Sequence, residues 1–396
     1  MATIRLSDGE YARRREAILA SLGERGIGGL VLFNPNKMSY FSRFTFIQTE
    51  RPMAYVLTPT RSELLVPKLE TEHAQEYAIV DEVVVYPEYP GERHPLEFLK
   101  DMLVGLGLGS GKLAVDSDGY GQVYGYRGPK VSELLPEVEI VNVMDEIEYM
   151  QMINSEEELT LIRESCKWGN LAHEYLQQGC AVGAGETEIA LRASLEASLE
   201  MMEALGSEYR PMTSGFPAMA TFRGQVGKDS ALPHAISSNV KLQKGDVLVT
   251  GAGAAVWGYG SELERTMVMG EPSKEQERWF GLMLGAQTLA LDTIKPGITC
   301  AAVDRELMRY FKEHGIQENW RHHTGHAKSM LIHEAPFLDI GDERVIEVGM
   351  VFTVEPGIYV PGFAGFRHSD TVVVTETGIE SLTYYPRDLE SLTIPC

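Results

Sequence analysis

Three short stretches in the second half of the chain carry side chains that could bind a metal ion or transfer protons. The first holds Glu262 within Gly-Tyr-Gly-Ser-Glu-Leu-Glu-Arg-Thr, the second ends in His326 after His-His-Thr-Gly, and the third holds Glu355 within Val-Glu-Pro-Gly. Two carboxylates and one imidazole could form a site for a single divalent metal ion. Three protein ligands are a sparse set, so we favour the alternative in which His326 hydrogen-bonds a carboxylate or a substrate.

The segments that position these residues read as strands and helices of one domain. Residues 246–250 and 266–269 are predicted strands that flank a glycine-rich turn at 251–260. Ser155 followed by Glu158 is a capping box, which predicts the start of a helix there. Further helices are predicted at 186–204, 274–293 and 300–314, and the chain after residue 322 alternates strands with Gly/Pro turns.

The first 150 residues or so alternate predicted helices and strands. An amphipathic helix is expected near 10–25, a buried strand at 30–33, and a hairpin from 54–57 and 63–66. Alternation of this kind indicates an α/β domain. We therefore predict two domains, at residues 1–152 and 153–396.

Composition narrows the classes of partner. The 396 residues include 35 Lys and Arg against 57 Asp and Glu, a formal net charge of −22. Such a chain is not expected to bind nucleic acid or an anionic membrane, because both require a basic surface. The negative field could steer a cationic or zwitterionic ligand, and a halotolerant or thermophilic host would account for it equally well.

The cysteines and the apolar runs point to a cytoplasmic protein. The four cysteines lie far apart and form no Cys-x-x-Cys, so reduced thiols are expected. There is no run of 18 apolar residues, and the first ten residues lack the apolar core of a signal peptide.

Together with Gly-Phe-Arg-His-Ser-Asp near residue 370, the three stretches resemble the pita-bread family, which holds aminopeptidase P, prolidase, methionine aminopeptidase and creatinase. The resemblance implies a pita-bread C-terminal domain with a curved antiparallel sheet behind a smaller α/β creatinase-type N-terminal domain. The peptidases of that family bind two metal ions through Asp, Asp, His, Glu and Glu. The matching positions here are Gly251, Glu262, His326, Glu355 and Ser369, so two of the five ligands are missing.

The pattern that remains resembles creatinase, which hydrolyses a guanidinium carbon–nitrogen bond without metal. Without cations, the carboxylates of Glu262 and Glu355 would need a proton or a cationic substrate to neutralise them. Guanidinium and amidinium groups match carboxylates in two-point geometry. We therefore expect a metal-independent hydrolase of a C–N bond in a small cationic or zwitterionic compound, such as a guanidino acid or a cyclic amidine like ectoine.

The resemblance also suggests roles for individual side chains. His234, in Leu-Pro-His, matches the substrate-facing His of creatinase and is the expected general acid and base, although a structural histidine is the alternative. With Glu262 and Glu355 it forms the expected catalytic set. His326, His333, Tyr259 and Arg51 are the expected substrate contacts, with Arg51 reaching the site of the neighbouring subunit of a homodimer.

No cofactor is expected on this interpretation; if a metal is present, its ligands are Glu262, His326 and Glu355. Two alternatives remain open: an Xaa-Pro dipeptidase or aminopeptidase with a residual metal site, and a non-catalytic peptidase-like binding module. The expected partners are a small-molecule substrate and a second copy of the chain.

Overall fold

The computed structural model describes residues 4–212 and 215–396, whose contacts form two units. The smaller unit is Leu6–Met150, and the larger is Gln151–Cys396, to which Ile4 and Arg5 also belong. The division falls inside helix α6 (Met144–Met152). The boundary between residues 152 and 153 stays a prediction.

The smaller unit is an α/β fold around one six-stranded sheet. Its remaining helices are α1 (Asp8–Glu24), α2 (Pro35–Ser42), α3 (Thr71–Tyr77), α4 (Pro95–Gly105) and α5 (Val131–Leu134), with short 3-10 helices at Lys68–Glu70 and Val123–Gly125. Its strands are β1 (Ile27–Leu32), β2 (Ala54–Leu57), β3 (Ser62–Pro67), β4 (Glu82–Tyr86), β5 (Gly111–Val115) and β6 (Val138–Asn142), in the order β4-β3-β2-β1-β5-β6.

The sheet is mixed because tight turns join only some of its strands. The predicted hairpin is confirmed as the antiparallel pair β2–β3, whereas β3–β4, β1–β5 and β5–β6 are parallel. Parallel neighbours need a crossover, and α3 and α4 lie in two of the connecting segments. Val31, Leu65, Leu99 and Leu113 belong to the apolar core of this unit.

The larger unit is built on a largely antiparallel sheet covered by helices. Its helices are α7 (Glu156–Gly179), α8 (Glu186–Leu205), α9 (Lys274–Thr293) and α10 (Cys300–Glu313), with 3-10 helices at Gly227–Ala231 and Gln317–Asn319. Its strands are β7 (Ala218–Thr221), β8 (Val247–Val256), β9 (Tyr259–Gly260), β10 (Leu263–Met269), β11 (Gly325–Ala327), β12 (Glu334–Leu338), β13 (Val351–Val354), β14 (Gly357–Val360), β15 (Ala364–Arg367), β16 (Ser369–Thr375), β17 (Gly378–Ser381) and β18 (Thr393–Ile394).

Seven strands of this sheet follow the order β12-β11-β13-β16-β10-β8-β7, and β9, β17 and β18 pair with β8, β16 and β10. Among the strand pairs that the described residues of this unit form, β10–β18 alone is parallel. The strands β14 and β15 form a separate hairpin. The order matters for function because it brings β10, β11 and β13, which are distant in sequence, within three positions of one another.

The helix predicted from the capping box is confirmed. Ser155 Oγ accepts a hydrogen bond from the backbone N of Glu158 at 3.3 Å, and Glu158 Oε2 accepts one from the backbone N of Ser155 at 2.7 Å. These bonds satisfy backbone groups that a helix start leaves free. The helix that follows, α7, packs on α8, β7 and β8.

The glycine-rich turn predicted at 251–260 is wrong in extent. Strand β8 continues to Val256, and only Trp257 (φ 52°) and Gly258 (φ 86°) form a two-residue turn into β9. A side chain on Gly253 would place its Cβ 2.4 Å from the backbone O of Ser261. Gly253 is therefore required because two backbone segments approach closely inside the sheet. In the sequence, a glycine of this kind looks the same as one that forms a turn.

None of the helices within the described part of the chain combines the length and the apolar character that a membrane span requires.

The buried His173 of α7 should make the stability of the larger unit depend on pH. Its Nε2 donates to Thr250 Oγ1 at 2.7 Å, because that hydroxyl donates its own proton to the backbone O of Arg265. Burial, and secondarily the Arg265 charge, lower the pKa of His173 to about 3. Unfolded chains protonate histidine near pH ~6.5, so the stabilisation is complete above that pH and is lost as the pH falls towards 3.

We therefore expect the stability advantage of the wild type over His173→Gln to shrink between pH 7 and pH 5 by about 2 kcal/mol. Glutamine keeps a donor for Thr250 but does not titrate. Urea unfolding at both pH values measures the difference. Parallel changes in the two proteins would contradict the expectation, and measurements at pH 8 provide the baseline.

Candidate metal centre

Glu262, His326 and Glu355 come together at the ends of neighbouring strands. Glu262 lies between β9 and β10, His326 lies on β11, and Glu355 follows β13. Their ligand atoms all lie within 4.8 Å of one another. The arrangement follows from the register, since β11 pairs with β13, β13 with β16, and β16 with β10.

The orientation of His326 leaves one ring nitrogen available to a ligand. Its ring is fully buried, and Nδ1 donates to the backbone O of Ala327 at 3.0 Å. A carbonyl oxygen can only accept, so the proton of the neutral ring is on Nδ1. Nε2 has no hydrogen-bond partner among the described residues and lies 3.4 Å from Glu355 Oε1. An imidazole held through one nitrogen with the other free is the usual arrangement of a metal ligand.

The electrostatics of the three residues reflect crowded negative charge. Burial raises the pKa of Glu355, and the neighbouring charge of Glu262 raises it further. Burial would lower the pKa of His326, but the Glu355 and Glu262 carboxylates outweigh it and the pKa is raised. Both shifts indicate a site that favours added positive charge.

Ser369 and Gly251 stand at the two positions where the resemblance implied metal ligands, and their surroundings differ. The hydroxyl of Ser369 donates to Glu262 Oε1 at 3.0 Å, which holds the carboxylate in place. Gly251 lies on β8 opposite Glu264 of β10. A Cβ at this glycine would be 3.5 Å from Glu264 Oε1 and 3.9 Å from Arg223 Cζ. The space beside Gly251 therefore adjoins a carboxylate and a guanidinium.

Glu264 was missed by the sequence analysis as a site residue. It is buried, and it forms ion pairs with Arg367 and with Arg223. Although burial raises its pKa, the charges of Arg367 and then Arg223 lower the pKa of Glu264 to about 2. Arg367 also donates to the hydroxyl of Tyr359 at 2.8 Å. The period-2 alternation of a strand, which puts Glu262 and Glu264 on one face, was the available signal.

Lys328, two residues after His326, was also missed. Its side chain is buried, and its Nζ donates to the backbone O of Ile332 at 3.5 Å. Nearby, the exposed His333 ring stacks on that of His326, with centroids 3.9 Å apart. The pKa of His333 is lowered, first by the partial burial of its ring and then by the charge of His326, with a smaller effect of Lys328. The structure thus brings His333 to the edge of the triad.

The contacts of Tyr259 and Arg51, the other expected substrate contacts, and of His234, the expected general acid and base, are with other residues. The buried Tyr259 donates its hydroxyl to Glu158 Oε1 of α7 at 3.0 Å. His234 lies in an exposed turn, and the backbone O of its neighbour Pro233 accepts a hydrogen bond from Arg367 at 3.5 Å. Arg51 belongs to the smaller unit, where it pairs with Glu50 and Glu88. The roles of these three residues stay predictions.

The fold is that of a metallopeptidase family. The chain belongs to metallopeptidase family M24, whose model matches residues 160–376, and residues 14–153 match the creatinase/prolidase N-terminal domain. The expected fold is therefore confirmed, a pita-bread domain with a curled antiparallel sheet preceded by a creatinase-type α/β domain.

The chain is similar to proteins that are named Xaa-Pro dipeptidases. One from Pyrococcus horikoshii is 34% identical over 251 residues, which are 63% of this chain and 68% of that protein. The crystal structure of the prolidase from Pyrococcus horikoshii superposes with a TM-score of 0.78 at 27% identity, covering 95% of this chain and 99% of the other. An Xaa-Pro dipeptidase structure from Bacillus anthracis gives 0.79 at 27% identity, covering 96% and 99%.

These relatives overturn two expectations. The metal-independent, creatinase-like hydrolase of guanidino acids or cyclic amidines is wrong, because the family and the relatives are peptidases. The expectation of no cofactor is also wrong, because the family is one of metallopeptidases. The loss of two ligand positions was read as loss of the metal, although the three retained ligands still converge.

Replacing His326 should abolish tight metal binding. His326→Ala removes the only neutral ligand of the triad, and because even groups that merely orient a ligand affect affinity 10–100-fold, we expect Mn²⁺ to bind at least ~100-fold more weakly. Isothermal titration calorimetry measures the affinity. His314→Ala, at an exposed histidine after α10, is the matched control, and equal affinity in the two variants would contradict the assignment.

Proposed function

We propose that this chain is a divalent-metal-dependent hydrolase of Xaa-Pro peptides, with the metal held by Glu262, His326 and Glu355. Membership of a metallopeptidase family and similarity to Xaa-Pro dipeptidases support the reaction class. The observation that carries the proposal is the buried His326 Nε2, which has no hydrogen-bond partner in the described part of the chain and faces two carboxylates.

The donors fit one divalent cation well. Two carboxylates supply the negative charge, and an imidazole completes a set that suits Zn²⁺, Mn²⁺ or a related ion. The fit to a second cation is poor, because Gly251 has no side chain and the Ser369 hydroxyl is neutral and already donates to Glu262. The Glu264 carboxylate near Gly251 is engaged by Arg367 and Arg223.

A divalent cation bound here would supply a Lewis acid for the scissile carbonyl and a lowered pKa for water. The residues of the chain supply the geometry. Ser369 holds Glu262 by a hydrogen bond, and the backbone O of Ala327 fixes the tautomer of His326. His333 presents an exposed ring beside His326, which supports it as the candidate substrate contact at the edge of the site.

The remaining expectations accompany this proposal unchanged. His234 is the candidate general acid and base, since its turn adjoins Arg367 through Pro233. A homodimer, in which Arg51 reaches the neighbouring subunit, and a cytoplasmic location stay predictions.

Hydrolysis of glycylproline should require a divalent metal. We expect chelation to lower the rate at least ~100-fold and Mn²⁺ to restore it. Without the metal, only general acid–base groups remain, and these typically accelerate a reaction by 10²–10⁴-fold. Glu355→Gln should lose activity in the presence of Mn²⁺, whereas Glu376→Gln, at an exposed position after β16, should retain it. A metal-loaded protein that cleaves no Xaa-Pro dipeptide, or activity that is indifferent to chelation, would refute the proposal.

A further inference from the structure

Glu264 lies between the two positions at which the resemblance implied metal ligands that the chain lacks. It is directly opposite Gly251 of β8 on one side and Ser369 of β16 on the other. Opposite residues of antiparallel strands place their side chains on one face of the sheet. Glu262, which accepts from the Ser369 hydroxyl at 3.0 Å, precedes Glu264 by two residues on the same face. After burial and the charge of Glu262, the charge of Glu264 also raises the pKa of Glu355, so Glu264 adjoins the triad.

Arg223 reaches Glu264 from β7, the strand at the edge of the sheet. Thr221, the last residue of β7, pairs with Gly251, and Arg223 follows it by two residues. The backbone of Arg223 has a φ of 51°, a left-handed conformation that residues other than glycine seldom adopt. Its backbone N donates to Thr221 Oγ1 at 3.0 Å, and its guanidinium pairs with Glu264 Oε1. The chain therefore turns sharply at the residue whose side chain returns to the site.

The guanidinium of Arg223 lies beside the space that a side chain at position 251 would enter. A Cβ on Gly251 would be 3.9 Å from Arg223 Cζ and 3.5 Å from Glu264 Oε1. Arg367 donates to the same oxygen of Glu264 at 2.8 Å. Two guanidinium groups against one carboxylate leave an excess of positive charge. The buried Nε of Arg223 has no hydrogen-bond partner among the residues that the structure describes, so this group has a donor left for a further carboxylate.

We propose that the guanidinium of Arg223 takes the place of a second metal ion beside Gly251, so that the site combines one divalent cation with one fixed cation. The inference rests on the proposed function for the first cation. Paired metal ions in hydrolases lie ~3.5–4 Å apart. An ion beside Gly251 would meet the guanidinium at close range, where like charges repel, and would find the carboxylate of Glu264 already paired.

Mn²⁺ titration of two variants separates the effect of the arginine from that of the missing ligand. Gly251→Asp restores a carboxylate, but Arg223 should pair with it, so this variant should bind no more Mn²⁺ than the wild type. Adding Arg223→Met should create a further site, with affinity about 10- to 100-fold above any at that position in Gly251→Asp, the range for a charged hydrogen bond. The Arg223 side chain is 39% exposed, so its replacement should leave the protein folded.

The matched control combines Gly251→Asp with Arg192→Met. Arg192 is an exposed arginine of α8 that also pairs with a glutamate, Glu188, and its loss should add no metal site. Elemental analysis counts the bound ions, and electron paramagnetic resonance locates them, because adjacent Mn²⁺ ions give a coupled spectrum whereas an ion on the acidic surface does not. We expect coupling only in the variant that carries Gly251→Asp and Arg223→Met.

The outcomes distinguish this inference from the proposed function. A further ion in the wild type or in Gly251→Asp alone overturns the inference, as does a double variant that gains none or gains one without coupling to the first. If the wild type binds no Mn²⁺, or binds it and cleaves no glycylproline, the proposed function fails. A further ion that only the double variant gains supports the inference in that case too. Melting temperatures confirm folding, and Arg223→Gln replaces Arg223→Met if the double variant does not fold.

Discussion

The site is governed by the crowding of three carboxylates on one region of the sheet. Glu262 directly precedes β10, and Glu264 lies on that strand two residues later. Glu355 follows β13 and brings a third carboxylate to the same region. Carboxylates this close cannot all stay charged without compensation. The chain compensates one of them with its own side chains, because Arg367 and Arg223 pair with Glu264. Within the described residues, the side chains that contact Glu262 and Glu355 are those of Ser369 and His326, so the compensation left to an added cation is confined to this pair.

Whether a carboxylate is neutralised by an arginine of the chain also determines whether it can bind a metal ion. A buried ion pair that loses one partner typically costs ~3–5 kcal/mol, so Glu264 and Arg367 constrain one another and are unavailable to a metal. Glu262 is oriented by a neutral hydroxyl instead, and this leaves its charge intact for a ligand. The rigidity comes from the sheet. Gly169 and Gly253 let α7 lie directly on β8, where a Cβ on Gly169 would already be 3.1 Å from the Gly253 Cα.

Local patterns in the sequence were sufficient for the start of α7 and for the residue types of the triad, but not for the extent of β8. The Ser155 capping box marked the start of α7, and the residue types at Glu262, His326 and Glu355 marked the candidate ligands before any geometry was known. The sequence did not show which side chains from different strands lie next to one another in space. That Gly251 adjoins Glu264 and Arg223 depends on the register of three strands.

That dependence explains why the activity was first misjudged. Counting missing ligands treated Gly251 and Ser369 as an emptied site, whereas the metal-binding capacity of the remaining residues depends on how closely they converge, and they do so within 4.8 Å. The net charge of −22 also favoured the metal-independent hydrolase, because it suggested a cationic substrate. At physiological ionic strength, however, surface charge is screened over about 8 Å. A substrate in the site therefore responds to the groups beside it, and the charge of the distant surface says little about which substrate that is.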